Sequence, residues 1–162
     1  MTAPAPGGGS EVPREMRLDL PAVHSAARMA RRLIRPFARS SGVAGRDQDK
    51  LLLVAEELLT NAVDHGGGGA AIDEKDLTTQ ARMSMQVIIG PKTWEVRVAD
   101  QGGGDPVSVE KLLRKDELPD LEDERGRGFF LMSQLVDSIK VEKSEDGRGP
   151  LVSAACRHGQ DV

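Results

Sequence analysis

The chain has 162 residues, a net charge of -4, and 30% charged against 38% hydrophobic residues. That length supports one domain with a real core rather than two. The acidic balance argues against a general nucleic-acid binder, which would show a basic patch with stacking aromatics.

With one Trp, three Phe and no Tyr, the core must be built from Leu, Val, Ile, Ala and Met. The single cysteine, Cys156, cannot form an internal disulfide and fits a reducing compartment. Lying in the apolar run 151–156, it reads as a small core residue. No apolar run approaches the roughly 20 residues that span a bilayer. The N-terminus also lacks a signal-peptide core, so the expected location is cytoplasmic, with no membrane contact.

The Gly-, Pro- and Ala-rich start, MTAPAPGGGSEVP, reads as part of a disordered tail over residues 1–15, and the domain is expected over 16–160. A short strand is expected around Arg17–Leu20. Pro21 and Ala22 then open an amphipathic helix to about Arg39, with Pro36 as a point of kinking or early termination. This helix carries Arg28, Arg31, Arg32, Arg35 and Arg39, which read as a solvated face or as a surface for an acidic partner.

A second helix is expected from about Asp47 to His65, with Leu51, Val54, Ala55, Leu58 and Ala62 on one stripe. Four glycines, 66–69, end it, and a polar loop runs to about Thr79. Met83–Ile89 and Trp94–Ala99 read as strands joined by the turn Gly90-Pro91-Lys92-Thr93, hence an antiparallel hairpin. A charged, lid-like stretch follows, and Gly126-Arg127-Gly128 opens an apolar helix, Phe129–Val136. A second hairpin, Ser138–Lys143 with Leu151–Arg157, closes the pattern. This order implies an α+β, two-layer α/β sandwich, with a mostly antiparallel mixed sheet and its helices on one face.

Three segments carry chemistry. Glu57, Asn61 and His65 recur at i, i+4, i+8 along one edge of the second helix. Polar groups at a core boundary are costly unless they serve a ligand or each other. Asn offers magnesium a hard oxygen, and Glu one turn earlier can take a proton from a hydroxyl or water. Asp100, ending a hydrophobic strand before Gln101-Gly102-Gly103-Gly104, can accept a hydrogen bond from an exocyclic amine, and the glycines allow close backbone approach. Glycines at a helix start expose N–H donors at its positive end, an anion site that Arg125 and Arg127 strengthen. Taken singly, the triplet also reads as an exposed helix edge and the glycines as plain turns. All three in this order are a far rarer coincidence.

ELLTNAVDHG, VADQGGGD and ERGRGFFLM resemble the N, G1 and G2 boxes of the GHKL (Bergerat-fold) ATPases. The single-domain layout, over about residues 17–157, is similar to the bacterial anti-sigma-factor serine/threonine kinases. The resemblance implies ATP and magnesium (Mg2+) as cofactors, with Asn61 holding the metal. Glu57 would activate the attacking serine hydroxyl, with Arg125 as the candidate catalytic arginine. Asp100 would read the adenine amino group, beside Gly102 and Gly104. Gly126, Arg127, Gly128 and Phe129 would meet the phosphates, His65 would belong to the N box, and about Asp105–Glu124 would form the lid. Two departures stand out: Arg125 abuts Gly126 where relatives carry an extra residue, and Gly149-Pro150 replaces a common Gly-Thr.

The implied partners are a STAS-domain anti-anti-sigma protein, a sigma factor and a second copy of the chain. Two other functions fit the same boxes: a non-catalytic ATP-binding adaptor, and an ATP-hydrolysing module related to sensor histidine kinases.

Overall fold

The computed structural model describes residues 12–66, 82–100, 124–143 and 150–159, with backbone alone at 65–66, 100 and 124–129. Strand β1 spans Arg14–Pro21, helix α1 His24–Ser40, helix α2 Gly45–Gly66, strands β2 and β3 Arg82–Ile89 and Thr93–Asp100, helix α3 Glu124–Leu135, and strands β4 and β5 Ser138–Lys143 and Pro150–Arg157. The strands form one sheet in the order β1-β2-β3-β5-β4. Every described pairing is antiparallel, so the parallel element of a mixed sheet is absent among the described residues. The α+β sandwich is otherwise as expected.

Alternation decides which side of the sheet is covered. Met83, Met85, Val87 and Ile89 of β2 are buried. Across the ladder, so are Trp94, Val96 and Val98 of β3 and Val152, Ala154 and Cys156 of β5. The helices pack on this apolar side. The opposite side is laced by charge: Arg82 Nε lies 3.3 Å from Asp19 Oδ1 and Arg97 Nε 2.7 Å from Glu95 Oε1, and Arg17 pairs with Glu15.

Four boundaries differ from the sequence expectation, each for a local reason. β1 begins at Arg14, inside the expected tail. The Arg14 guanidinium donates to the Ser40 carbonyl at 2.7 Å and sits 5.7 Å from the Phe37 ring centre. Pro21 closes β1 rather than opening α1, and the helix starts at His24.

α1 also runs through Pro36 to Ser40. Ile34 and Ala38 on its covered side are fully buried, and the end is closed by a Schellman motif. Val43 N–H donates to Ala38 C=O at 2.9 Å and Gly42 N–H to Arg39 C=O at 3.2 Å. Gly42 sits at φ 94°, where a side chain is strained.

α3 begins at Glu124, so Gly126 and Gly128 lie inside its first turns rather than ahead of it. The first four N–H groups of a helix have no intrahelical partner. Here these include the amides of Glu124, Arg125 and Gly126.

The short connection between α1 and α2 makes them antiparallel neighbours. Arg31 Nη1 lies 3.1 Å from Glu56 Oε2, and His24 Nε2 lies 3.2 Å from Asp64 Oδ1. The alanines of α1 at 26, 27, 30 and 38 are all buried in this packing and permit close approach.

The α1 end makes two opposite predictions. Gly42→Ala should destabilise the chain by about 1 kcal/mol through its positive φ. Pro36→Ala should stabilise it by about 1–3 kcal/mol, because Pro36 is exposed and its replacement restores a helical N–H. Urea denaturation followed by circular dichroism measures both.

Candidate nucleotide site

The polar edge of α2 is bounded by buried Leu58, Leu59, Ala62 and Val63. Asn61 is only 7% exposed, and its Nδ2 has no hydrogen-bond partner among the described residues. A buried unpaired donor costs about 1–3 kcal/mol, so an amide in that position is suited to meet a ligand. Glu57, one turn earlier, is half-buried. Burial pushes its carboxyl above the usual carboxylate range, and the neighbouring charges of Glu56 and Asp64 push the same way.

Asp64 is a residue that motif reading passed over. It stands three residues beyond Asn61 and seven beyond Glu57, hence on the same stripe, with a side chain only 14% exposed. Its spacing from Glu57 was a usable signal. Its contact with His24 was not, because 40 positions of sequence separate them. The acidic flanks of Glu57 are each met by α1: Arg31 reaches Glu56, and His24 reaches Asp64.

Topology brings two of the three motif segments to one end of the sheet. Asp64 touches His24, which follows closely on Pro21. Pro21 pairs with Arg82, and the adjacent Met83 pairs with Asp100. The last turns of α2 and the end of β3 therefore share this end. α3 is anchored at the other end, where Cys156 Sγ lies 3.7 Å from Leu135 C=O and 3.8 Å from Lys50 Nζ. Its twelve residues span about 18 Å.

His65 and Asp100 are placed by backbone in α2 and β3, and Arg125, Gly126, Arg127, Gly128 and Phe129 by backbone in α3. Gly102, Gly104, the lid and the 67–79 loop lie outside the described residues. Cys156 is buried on the inner side of β5, as its apolar run implied, and burial pushes its thiol up while Lys50 works against that rise. No group of three His, Cys, Asp or Glu suited to a metal occurs among the described residues. None of their helices is long and apolar enough to cross a membrane.

Most of the chain superposes on solved structures at low sequence identity, which establishes fold alone. One contains the RsbU and RsbW domains of Rv1364c from Mycobacterium tuberculosis, at TM-score 0.58 and 16% identity, with 89% of this chain covered. This chain spans 32% of that one, about a third of its length. Another is a chain of the SiaB–SiaC complex from Pseudomonas aeruginosa, at TM-score 0.60 and 11% identity, with 88% of each covered. No curated protein sequence matches. A family model does, for the histidine kinase-like ATPase domain, over residues 20–154. With that match across most of its length, the chain belongs to the histidine kinase-like ATPase domain family.

Proposed function

We propose that residues 16–160 form an ATP-dependent protein serine/threonine kinase that acts as an anti-sigma factor in a cytoplasmic partner-switching system. Its substrate would be a STAS-domain antagonist. The observation that carries this reading is the α2 edge itself, where a buried amide N–H without a partner among the described residues stands beside a half-buried carboxyl biased toward holding a proton.

The residues present fit magnesium-bound ATP. Asn61 would supply one hard oxygen to the metal, and its unpaired N–H would be free for a phosphate oxygen. Magnesium, when bound, neutralises phosphate charge as the phosphoryl group transfers. Glu57 would accept the proton of the attacking serine hydroxyl; a carboxyl with a raised pKa is a stronger base once ionised. Asp100 would accept from the adenine amine, with Gly102 and Gly104 beneath the base and His65 bordering the site. The free amides at the start of α3, with Gly126, Arg127, Gly128 and Phe129, would bind phosphate oxygens. Arg125 would meet the charge that develops on the transferring group.

A protein partner fits the structural likenesses, one of which is a chain within a two-protein complex. A second copy of the chain is the other proposed partner. Its support is the half-buried row of Met16, Leu18 and Phe37 along the β1 edge of the sheet. A monomer in sedimentation velocity at high protein concentration would remove that proposal.

Asn61→Ala should weaken magnesium-ATP binding by about tenfold or more, the loss of a charge-assisted contact. The stability of the nucleotide-free chain should change little, because the amide N–H has no hydrogen bond to lose among the described residues. Calorimetric titration and thermal melts separate the two effects. Equal losses in both would make Asn61 structural.

Glu57→Ala should keep ATP binding and lower phosphate transfer to a STAS protein by about 10²–10⁴-fold. Unchanged release of the partner by this variant would favour the non-catalytic adaptor.

Glu57→Gln adds a pH test. The folded-state pKa of Glu57 lies above its ordinary value of 4.5, so the folded chain holds this proton more tightly than the unfolded one. The stability linked to it is full below 4.5 and is lost as pH rises through the folded value. Glu57→Gln should therefore melt higher than the wild type at neutral pH. The gap should close as pH falls toward 4.5; a gap that widens on acidification contradicts the assignment.

A further inference from the structure

The α1 sequence HSAARMARRLIRPFARS contains five arginines and no acidic residue, within a chain whose net charge is -4. The covered side of the helix holds Ala26, Ala30, Ile34 and Ala38. One flank is tied to α2 through Arg31 and Glu56, and the other to β1 through Phe37 and Arg14. Between these flanks, Arg32, Arg35 and Arg39 recur at i, i+3, i+7, a row about 10 Å long on one face. All three are exposed, and none has a carboxylate partner among the described residues. On the neighbouring row, Met29 is 60% and Leu33 46% exposed.

We propose that this outer face of α1 docks an acidic, partly apolar segment of a partner protein, carboxylates meeting Arg32, Arg35 and Arg39 while apolar side chains cover Met29 and Leu33. A solvated face usually mixes both signs of charge; this one presents a single sign beside uncovered apolar surface. Arg and Met are enriched at protein interfaces, and the guanidinium fork matches a carboxylate in two-point geometry.

Charge complementarity selects the occupant. A two-fold copy of the chain packed on this face would set arginines against arginines. A polyanionic nucleic acid would meet an acidic molecule of pI about 5.4, with no exposed aromatic on the face for base stacking. A bilayer needs the apolar side of a helix, and that side of α1 is spent on the core. The inference is independent of the kinase reading, since no residue of the nucleotide site takes part.

The test is fluorescence polarisation without nucleotide. The probe is a labelled helical peptide bearing Glu at i, i+3, i+7 and Leu on the adjacent row; a scrambled peptide of the same composition is the control. The wild-type chain should bind the patterned peptide more tightly than the scrambled one, with affinity falling as salt rises. Arg32→Glu with Arg35→Glu should weaken binding about tenfold or more, and Arg32→Lys with Arg35→Lys by less. Circular dichroism checks that each variant folds. No binding, equal binding of the scrambled peptide, or no effect of charge reversal would overturn the proposal. So would tighter arginine-dependent binding of phosphatidylserine vesicles, of single-stranded RNA or of the chain to itself.

Discussion

The candidate site depends on how α2 is seated. One side of this helix, including Leu51, Val54, Ala55, Leu58 and Ala62, is buried against the sheet and its neighbours. Immediately beside it run Glu57, Asn61 and Asp64. Each residue step turns the helix by about 100°, so a shift of one position would bury the acids or expose the leucines. The apolar stripe therefore sets the depth of the polar edge, and that depth leaves the Asn61 Nδ2 without a partner among the described residues and Glu57 short of water. Neither condition would arise on a helix lying loosely on the surface.

Such an edge is a local cost, and α1 bears on it. Glu57 is flanked by Glu56 and Asp64, both of which oppose its ionisation. Arg31 answers Glu56 with a permanent charge, whereas His24 answers Asp64 with a charge that depends on its own protonation. Burial is the largest influence on Glu57, ahead of either neighbouring carboxylate. The packing of α1 on α2 is in that sense part of the site, although no motif marks it.

How far the sequence could be read follows from the range of each interaction. Alternation through most of Met83–Ile89 and throughout Trp94–Val98 places those strands and their buried side within a residue or two. The glycine-proline turn between them leaves an antiparallel hairpin as the simple solution. The helical spacing of Glu57 and Asn61 likewise locates the polar edge of α2. What escaped reading is long-range or competitive. Pro36 breaks helices in general, but here the buried Ile34 and Ala38 and the Val43–Ala38 closure outweigh it. Pro21 can start a helix, but pairing with Arg82 holds it in the sheet. Arg14 belongs to a composition that predicts disorder, yet Phe37 and Ser40 draw it into β1. The glycines of 126–128 look like a turn before a helix, and the helix starts two residues earlier, which moves the free amides toward Glu124 and Arg125. That movement bears on the one departure in the G2 segment, since Arg125 then carries both a guanidinium and an unspent backbone donor.

The same logic of forces separates the residues of α1 into two groups. The helix is held by a lean set of contacts: alanines that bury little apolar area each, one large residue in Ile34, the closure at Gly42, and the Arg31–Glu56 and His24–Asp64 pairs. The side chains of Arg32, Arg35 and Arg39 contribute to none of these. Three like charges on one short row repel one another modestly in water, and Met29 and Leu33 beside them gain nothing from exposure. Among the described residues these side chains thus gain no charge partner from folding, whereas an acidic partner would relieve the repulsion and cover the apolar pair in a single step. Arg32 and Arg39 lie roughly 80–100° around the helix from Arg31, which meets Glu56 of α2, so a partner reaches them from the outer side of α1.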